Sequence, residues 1–212
     1  MSPRRARVLA GRVGDDPAVA LRDHLVDAAA TLIGRSPLAL ITTREIARAA
    51  GVSDGVLYNY FGDKNDLLVE ALVRQFRRTI EAAAARIPEP GTATLEANLE
   101  SIATTLLDVE REVIPMIAGL VADPALLHRM FVALHDDPLG PHWFRAPLIA
   151  YLEGERRLGR VRSDANPDGI VLLLMGSTSI LALAGHLASG TAAEADRRHV
   201  VVDELLRGLR PG

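Results

Sequence analysis

The chain has no cysteine, which excludes disulfides, thiolate nucleophiles and cysteine-held metals. Aromatic residues are scarce, 4% of 212 positions with a single Trp, while Ala and Leu abound; that composition favours helices over strands. The N-terminus lacks the sustained apolar run of a secretory signal, so a cytoplasmic protein is expected. Signatures of enzyme chemistry are missing as well. There is no Gly-x-Ser-x-Gly elbow, P-loop, Gly-x-Gly-x-x-Gly turn or His-Glu-x-x-His. Glu153 and Glu155, two apart, fall on different sides of a helix and make a poor acid/base pair. Neither catalysis nor a cofactor is expected. Repeats at solenoid spacing are also absent.

What remains is most informative at residues 42–64, T-T-R-E-I-A-R-A-A-G-V-S-D-G-V-L-Y-N-Y-F-G-D-K. Thr42 and Glu45 have the spacing of a capping box before an apolar run. Ile46, Ala47 and Ala50 share one helical face, and the small Ala47 lets another helix come close. Gly51 ends the helix where positive φ is cheap only without a Cβ. Ser53 has the chemistry to cap a second helix over Asp54–Tyr60. Two helices joined so tightly cross steeply, as in a helix-turn-helix. In the second helix Val56, Leu57 and Phe61 point inward, leaving Asp54, Gly55, Tyr58 and Asn59 outward with Tyr60 at the rim. An Asn can bond adenine bidentately in the major groove and a Tyr can bond phosphate. Gly55 permits close approach to a nucleic-acid backbone. Asp63 is placed to cap the next helix, putting Lys64 near a helix N-terminus, where phosphates bind.

Residues 18–72 resemble the DNA-binding domain of the tetracycline-repressor (TetR) family, most closely in I-A-R-A-A-G-V-S and V-L-Y-N-Y-F-G-D-K-N-D-L-L. The resemblance implies DNA contacts from Thr42, Thr43, Arg44, Ser53, Asp54, Gly55, Val56, Tyr58, Asn59, Tyr60 and Lys64. Val56 stands where the family often has a threonine, so a hydroxyl contact gives way to one with a thymine methyl. Asn59 falls at a variable position that helps set the operator sequence. Asp54 is unhelpful near phosphate but can accept from a cytosine amino group.

Net charge is only −3, but it is unevenly spread. Residues 1–64 hold nine Lys and Arg against seven Asp and Glu, +2; the remainder carries −5. The basic end is the motif end, as steering toward DNA requires. So small an excess calls for two copies binding together.

The expected organisation is all-α with about nine helices. Residues 1–15, with Arg4, Arg5, Arg7 and Arg12, form a basic arm, read either as a minor-groove arm or as a solvated tail. Residues 16–64 form the helix-turn-helix domain, whose first helix follows Asp16-Pro17 and carries Leu21, Leu25, Ala28 and Leu32. Residues 65–212 form a helical ligand-binding and dimerisation domain. The expected helices are Asp63 to about Arg86; Thr92 to about Val121, kinked at Pro115; one after Asp123-Pro124; 143–158; one from Asn166-Pro167 to about Ser189; and a last one opened by Thr191 and Glu194.

Ile170–Leu187 contains no Asp, Glu, Lys or Arg and just reaches transmembrane length. A membrane anchor is one reading; a helix buried in protein is the other, favoured by the central Gly176, Ser177, Thr178 and Ser179. In the second reading it packs on its own core and, with the last helix, on a second copy through Leu183, Leu187, Val201 and Leu205. That makes a four-helix bundle about a two-fold axis, as the family resemblance also implies.

The resemblance further implies a small apolar effector bound in the C-terminal half. Met116, Leu120, Met130, Phe131, Trp143, Phe144, Tyr151 and Met175 are wall material for such a cavity, or plain core. His128 offers it a polar contact. His128, His135 and His142 recur every seven residues, a weak metal spacing, and no metal is expected. The expected function is a homodimeric, ligand-responsive transcriptional regulator, a repressor on a palindromic operator. The alternatives are a DNA-organising protein without effector and a membrane-anchored helical protein.

Overall fold

The computed structural model of the chain describes residues 17–135, 145–188 and 192–210. Among them are eight α-helices, two 3-10 helices and no strand. The α-helices are α1 Pro17–Ile33, α2 Thr43–Ala49, α3 Lys64–Ala84, α4 Leu95–Val121, α5 Pro124–His135, α6 Arg145–Arg157, α7 Pro167–Ala188 and α8 Ala192–Leu209. The 3-10 helices are Leu38–Leu40 and Asp54–Asn59. The basic arm 1–15, Asp16, His142, Trp143, Phe144 and Thr191 lie outside the described residues.

Two compact units divide the described residues, one comprising 17–78 with 115–135, the other 79–114 with 145–188 and 192–210. The first is larger than the head expected over 16–64, because apolar residues distant in sequence complete its core. Leu25, Ile46, Leu57 and Phe61 are buried together with Leu68 and Leu72 of α3, Met116 and Leu120 of α4, and Leu126 and Met130 of α5. Leu38 and Ile41, in a stretch where no element was expected, belong to the same core. Gly119 packs against Leu38; a Cβ there would stand 3.0 Å from the Leu38 Cβ. Ion pairs tie α1 to α3: Arg22 to Glu70, Arg74 to Asp23 at 2.7 Å and to Asp27 at 2.9 Å, and Arg78 to Asp27 at 2.7 Å.

Helix starts follow the capping chemistry of the sequence. The Asp63 carboxylate accepts from the Asp66 amide at 2.8 Å, Asp123 from Leu126 at 3.0 Å, and Asn166 from Asp168 at 3.1 Å. The α4 cap is Thr94, which accepts from Ala97 at 3.1 Å, so α4 begins three residues after the expected Thr92. It runs on through Pro115.

In the second unit α7 packs on α6 and α8, around Leu99, Ile102, Leu106, Leu148, Leu152, Leu174, Val202 and Leu206. Within it Glu155 is wholly buried. Its carboxylate accepts from the Gly91 amide at 3.2 Å and lies 3.2 Å from the Arg160 guanidinium. That pairing answers the desolvation cost of the charge.

Candidate nucleic-acid interface

The head's local geometry starts at Thr42. Its hydroxyl accepts from the Glu45 amide at 3.2 Å, and the Glu45 carboxylate accepts from the Thr42 amide at 2.9 Å. These bonds, the Thr42 amide first and then its hydroxyl, hold the Glu45 carboxyl below the ordinary carboxylate range. Ile46, Ala47 and Ala50 are buried. The far end closes as a Schellman motif: the Val52 amide donates to the Ala47 carbonyl at 2.9 Å, the Gly51 amide donates to Arg48 at 3.1 Å, and Gly51 has φ +68°.

The second element differs from the expected α-helix. Asp54–Asn59 is a 3-10 helix, and Ser53 precedes it in extended conformation without a side-chain capping bond. Six residues give one tight helical stretch with a single buried anchor, Leu57, 2% exposed. Tyr58, next to it, is 61% exposed. Asp54, Gly55 and Asn59 are exposed too, with Tyr60 half-buried. Val56 is half-buried, between the inward packing expected of it and a contact with a base. The positions named for DNA contact in α2, the turn and the 3-10 helix are therefore each exposed or half-buried, with two qualifications. The hydroxyl and amide of Thr42 are committed to the cap. Arg44 reaches Asp54, its Nε 3.4 Å from the carboxylate, so the acid unhelpful near phosphate has a cation beside it. Thr43 is half-buried on the same helix.

Lys64 opens α3. The carboxylates of Asp63 and Asp66 flank it, and both are held by Arg129 of α5, which donates to Asp63 at 3.0 Å and to Asp66 at 2.9 Å. No signal in the sequence around Lys64 pointed to a residue 65 positions away.

Residues 25–71 match the family model of bacterial regulatory proteins, tetR family. That segment carries the DNA-binding signature of the TetR family. Among curated relatives, the HTH-type transcriptional regulator BetI of Cronobacter sakazakii is 42% identical over 82 residues, covering 38% of this chain and 40% of that protein. The HTH-type transcriptional repressor KstR2 of Rhodococcus jostii is 36% identical over 84 residues, 40% of each chain. The chain thus spans less than half the length of the curated relatives it matches. Likeness over the remainder is in fold. A TetR-family regulator structure from Mesorhizobium loti superposes with TM-score 0.73 at 18% identity, covering 93% of this chain and 100% of that one. The transcriptional regulator FadR of Bacillus subtilis, solved with stearoyl-CoA, gives TM-score 0.59 at 17% identity, covering 88% and 98%.

The described residues named for an effector cavity are divided between the two units. Met116, Leu120 and Met130 are buried in the core of the first unit. Tyr151 is buried in the second unit, where Met175 packs against the core. Phe131 is 60% exposed. His128 is exposed and lines an open groove of about 550 Å³ in the first unit, with Arg22, Tyr60, Phe61, Asp66 and Arg129. Among the described residues the buried Tyr151 hydroxyl has no hydrogen-bond partner; burial first, then the Glu155 carboxylate, keep its proton on well above the usual phenol range. Among the described residues no group of three His, Asp or Glu is placed to hold a metal ion.

Proposed function

We propose that this chain is a ligand-responsive transcriptional regulator of the cytoplasm that binds DNA as a homodimer and represses from a palindromic operator. The observation that carries the reading is the alternation at the 3-10 helix: Leu57 is buried, while Tyr58 and Asn59 project outward. A large aromatic and an amide held outward on a short 3-10 segment suit a major groove better than water. Asn59 then reads a base edge, Tyr58 and Lys64 bind phosphate, and Gly55 allows the backbone close approach.

Two heads are needed, since the charge excess at the motif end is small. The α7 helix supports a two-fold contact. Val171, Leu174, Thr178 and Ala182 face the unit's own core, whereas Leu172, Leu173, Ile180, Leu183 and Leu187 are exposed. This helix is long and apolar enough to cross a membrane by length and composition, with 33% of it buried. Against a lipid setting, Ser179 donates from its hydroxyl to the Glu110 carboxylate of α4, and a charged partner at mid-helix is costly in hydrocarbon. The α8 contribution is smaller than expected. Val201 and Leu205 are half-buried against their own core, and Leu206 and Leu209 are buried in it, which leaves Val200 as the exposed large apolar residue among that helix's described side chains.

A small apolar effector in the C-terminal half would favour a head spacing that no longer fits half-sites separated by whole turns, about 34–36 Å or a multiple. The shared fold with a regulator solved with stearoyl-CoA makes long-chain acyl compounds the first class to test. The decisive experiment is fluorescence-anisotropy titration of the full chain onto the duplex upstream of its own gene and onto a scrambled duplex. Preference for the upstream duplex, with two chains per site, supports the regulator; equal affinity for both would establish a DNA-organising protein instead.

A further inference from the structure

The start of α3 carries its charges in an order ill suited to a surface that meets phosphate. Asp63, Lys64 and Asp66 stand together, two acids around one base, and both acids are exposed. A phosphate approaching Lys64 would feel all three, since charges within about 8–10 Å act together at physiological salt. Their sum repels it.

The fold corrects this from another helix. One guanidinium nitrogen of Arg129 donates to both oxygens of Asp63 at 3.0 Å and to Asp66 at 2.9 Å. Lys64 makes no ion pair among the described residues. The Asp66 amide, and then Arg129 itself, hold the Asp63 carboxyl below its ordinary range, so that group stays ionised and needs a counter-charge. The carboxylates cannot simply be dispensed with, because the cap of α3 uses both: Asp66 donates from its amide to Asp63 at 2.8 Å, and the Asp63 amide donates to Asp66 at 3.3 Å.

We propose that Arg129 is a positioning residue of the DNA interface, whose single positive charge brings the group of Asp63, Lys64 and Asp66 from −1 to neutral, so that Lys64 meets the phosphate backbone without net repulsion. Arg129 need not touch DNA. The inference rests on the DNA-binding reading of the head and adds to it a residue from outside the helix-turn-helix.

The test uses the full chain, titrated across a salt series onto a duplex selected by the wild-type protein and onto an unrelated duplex, with thermal unfolding followed for every variant. Arg129→Ala is expected to weaken binding to both duplexes alike, about three- to tenfold at low salt, with the gap narrowing as salt rises. Adding Asp66→Asn, which keeps an acceptor for the cap, is expected to recover most of that loss. Asp66→Asn alone, which keeps that acceptor and the Arg129 charge, is expected to tighten binding about two- to threefold. Arg129→Ala binding as well as wild type would overturn the proposal. So would a double variant as weak as Arg129→Ala, because the arginine would then act only by holding the head together, or an Asp66→Asn that binds no tighter. Failure of the wild-type chain to bind any duplex would sink the DNA-binding reading and this inference together; each of the other outcomes sinks this inference alone.

Discussion

Leu57 and Tyr58 are neighbours in sequence with opposite surroundings, 2% and 61% exposed, and the whole interface depends on that contrast. Truncating each to Ala separates packing from recognition. Leu57→Ala deletes three buried carbons, about 2.4 kcal/mol at about 0.8 kcal/mol per carbon, and leaves a cavity that raises such losses to about 2–5 kcal/mol. Leu57 is the sole buried residue of its 3-10 helix, so the segment can settle inward and shrink the cavity. The loss should therefore fall at about 2–3 kcal/mol, a Tm drop of about 4–12 °C for a chain this size. Tyr58→Ala removes a side chain mostly in solvent and should shift stability by about 0.5 kcal/mol or less, while operator binding falls. The assays are thermal unfolding by circular dichroism and anisotropy titration on the selected duplex. If Tyr58→Ala destabilised the chain as much as Leu57→Ala, the ring would be packed inside and the proposed face would not exist.

Asn59→Ala should cost about 1–3 kcal/mol of discrimination at one base position, read by titrating single-substituted duplexes; an equal loss on every duplex would reassign Asn59 to the phosphate backbone. Lys64→Ala should weaken binding to all duplexes and lower the salt slope by about one, and an unchanged slope would remove it from the contacts. Leu183→Arg, on the exposed face of α7, should yield monomers with poor operator affinity, and intact dimers in a sedimentation run would contradict that interface. The Glu45 and Asp63 carboxyls are both lowered in the folded chain, so the stability they lend is present above the unfolded carboxylate pKa and fades as pH falls through the folded values. An acid titration should therefore show Glu45→Gln less sensitive to acid than wild type between those limits; parallel curves would mean that the capping box contributes nothing through its charge.

The parts of this fold legible in the sequence were those set by local rules. Capping by Thr42, Asp63, Asp123 and Asn166 depends on side-chain oxygens within three residues of the amides they serve, and Gly51 marks a backbone angle other residues avoid. What local rules could not reach was decided by contacts across the chain. The stretch around Leu38–Leu40 offers no periodicity, yet Leu38 and Ile41 fold into the head because that core, with α4 nearby at Gly119, needs filling there. Spacing alone likewise could not tell a 3-10 turn from an α-turn at Asp54–Asn59, since six residues complete too few turns to reveal a period. Residue type does not distinguish core from cavity either: Met116 and Met130 are adaptable fillers in either setting.

The α7 helix shows why composition by itself left two readings open. A charge-free run of membrane length says only that the helix avoids water, not what replaces it. The answer comes from asymmetry invisible in the sequence, because leucines lie on both sides: Leu174 inward, Leu172 and Leu173 outward. The hydroxyls then discriminate between outward environments. Ser177 satisfies itself on the Leu173 carbonyl one turn back, at 2.7 Å, and would be equally content in lipid. Ser179 instead engages the carboxylate of Glu110, which would have to be carried into hydrocarbon with it. A second copy covering the outer leucines leaves that pair at a protein boundary, where a charge is tolerable, and for this reason the two-fold contact is the better account of the same apolar face.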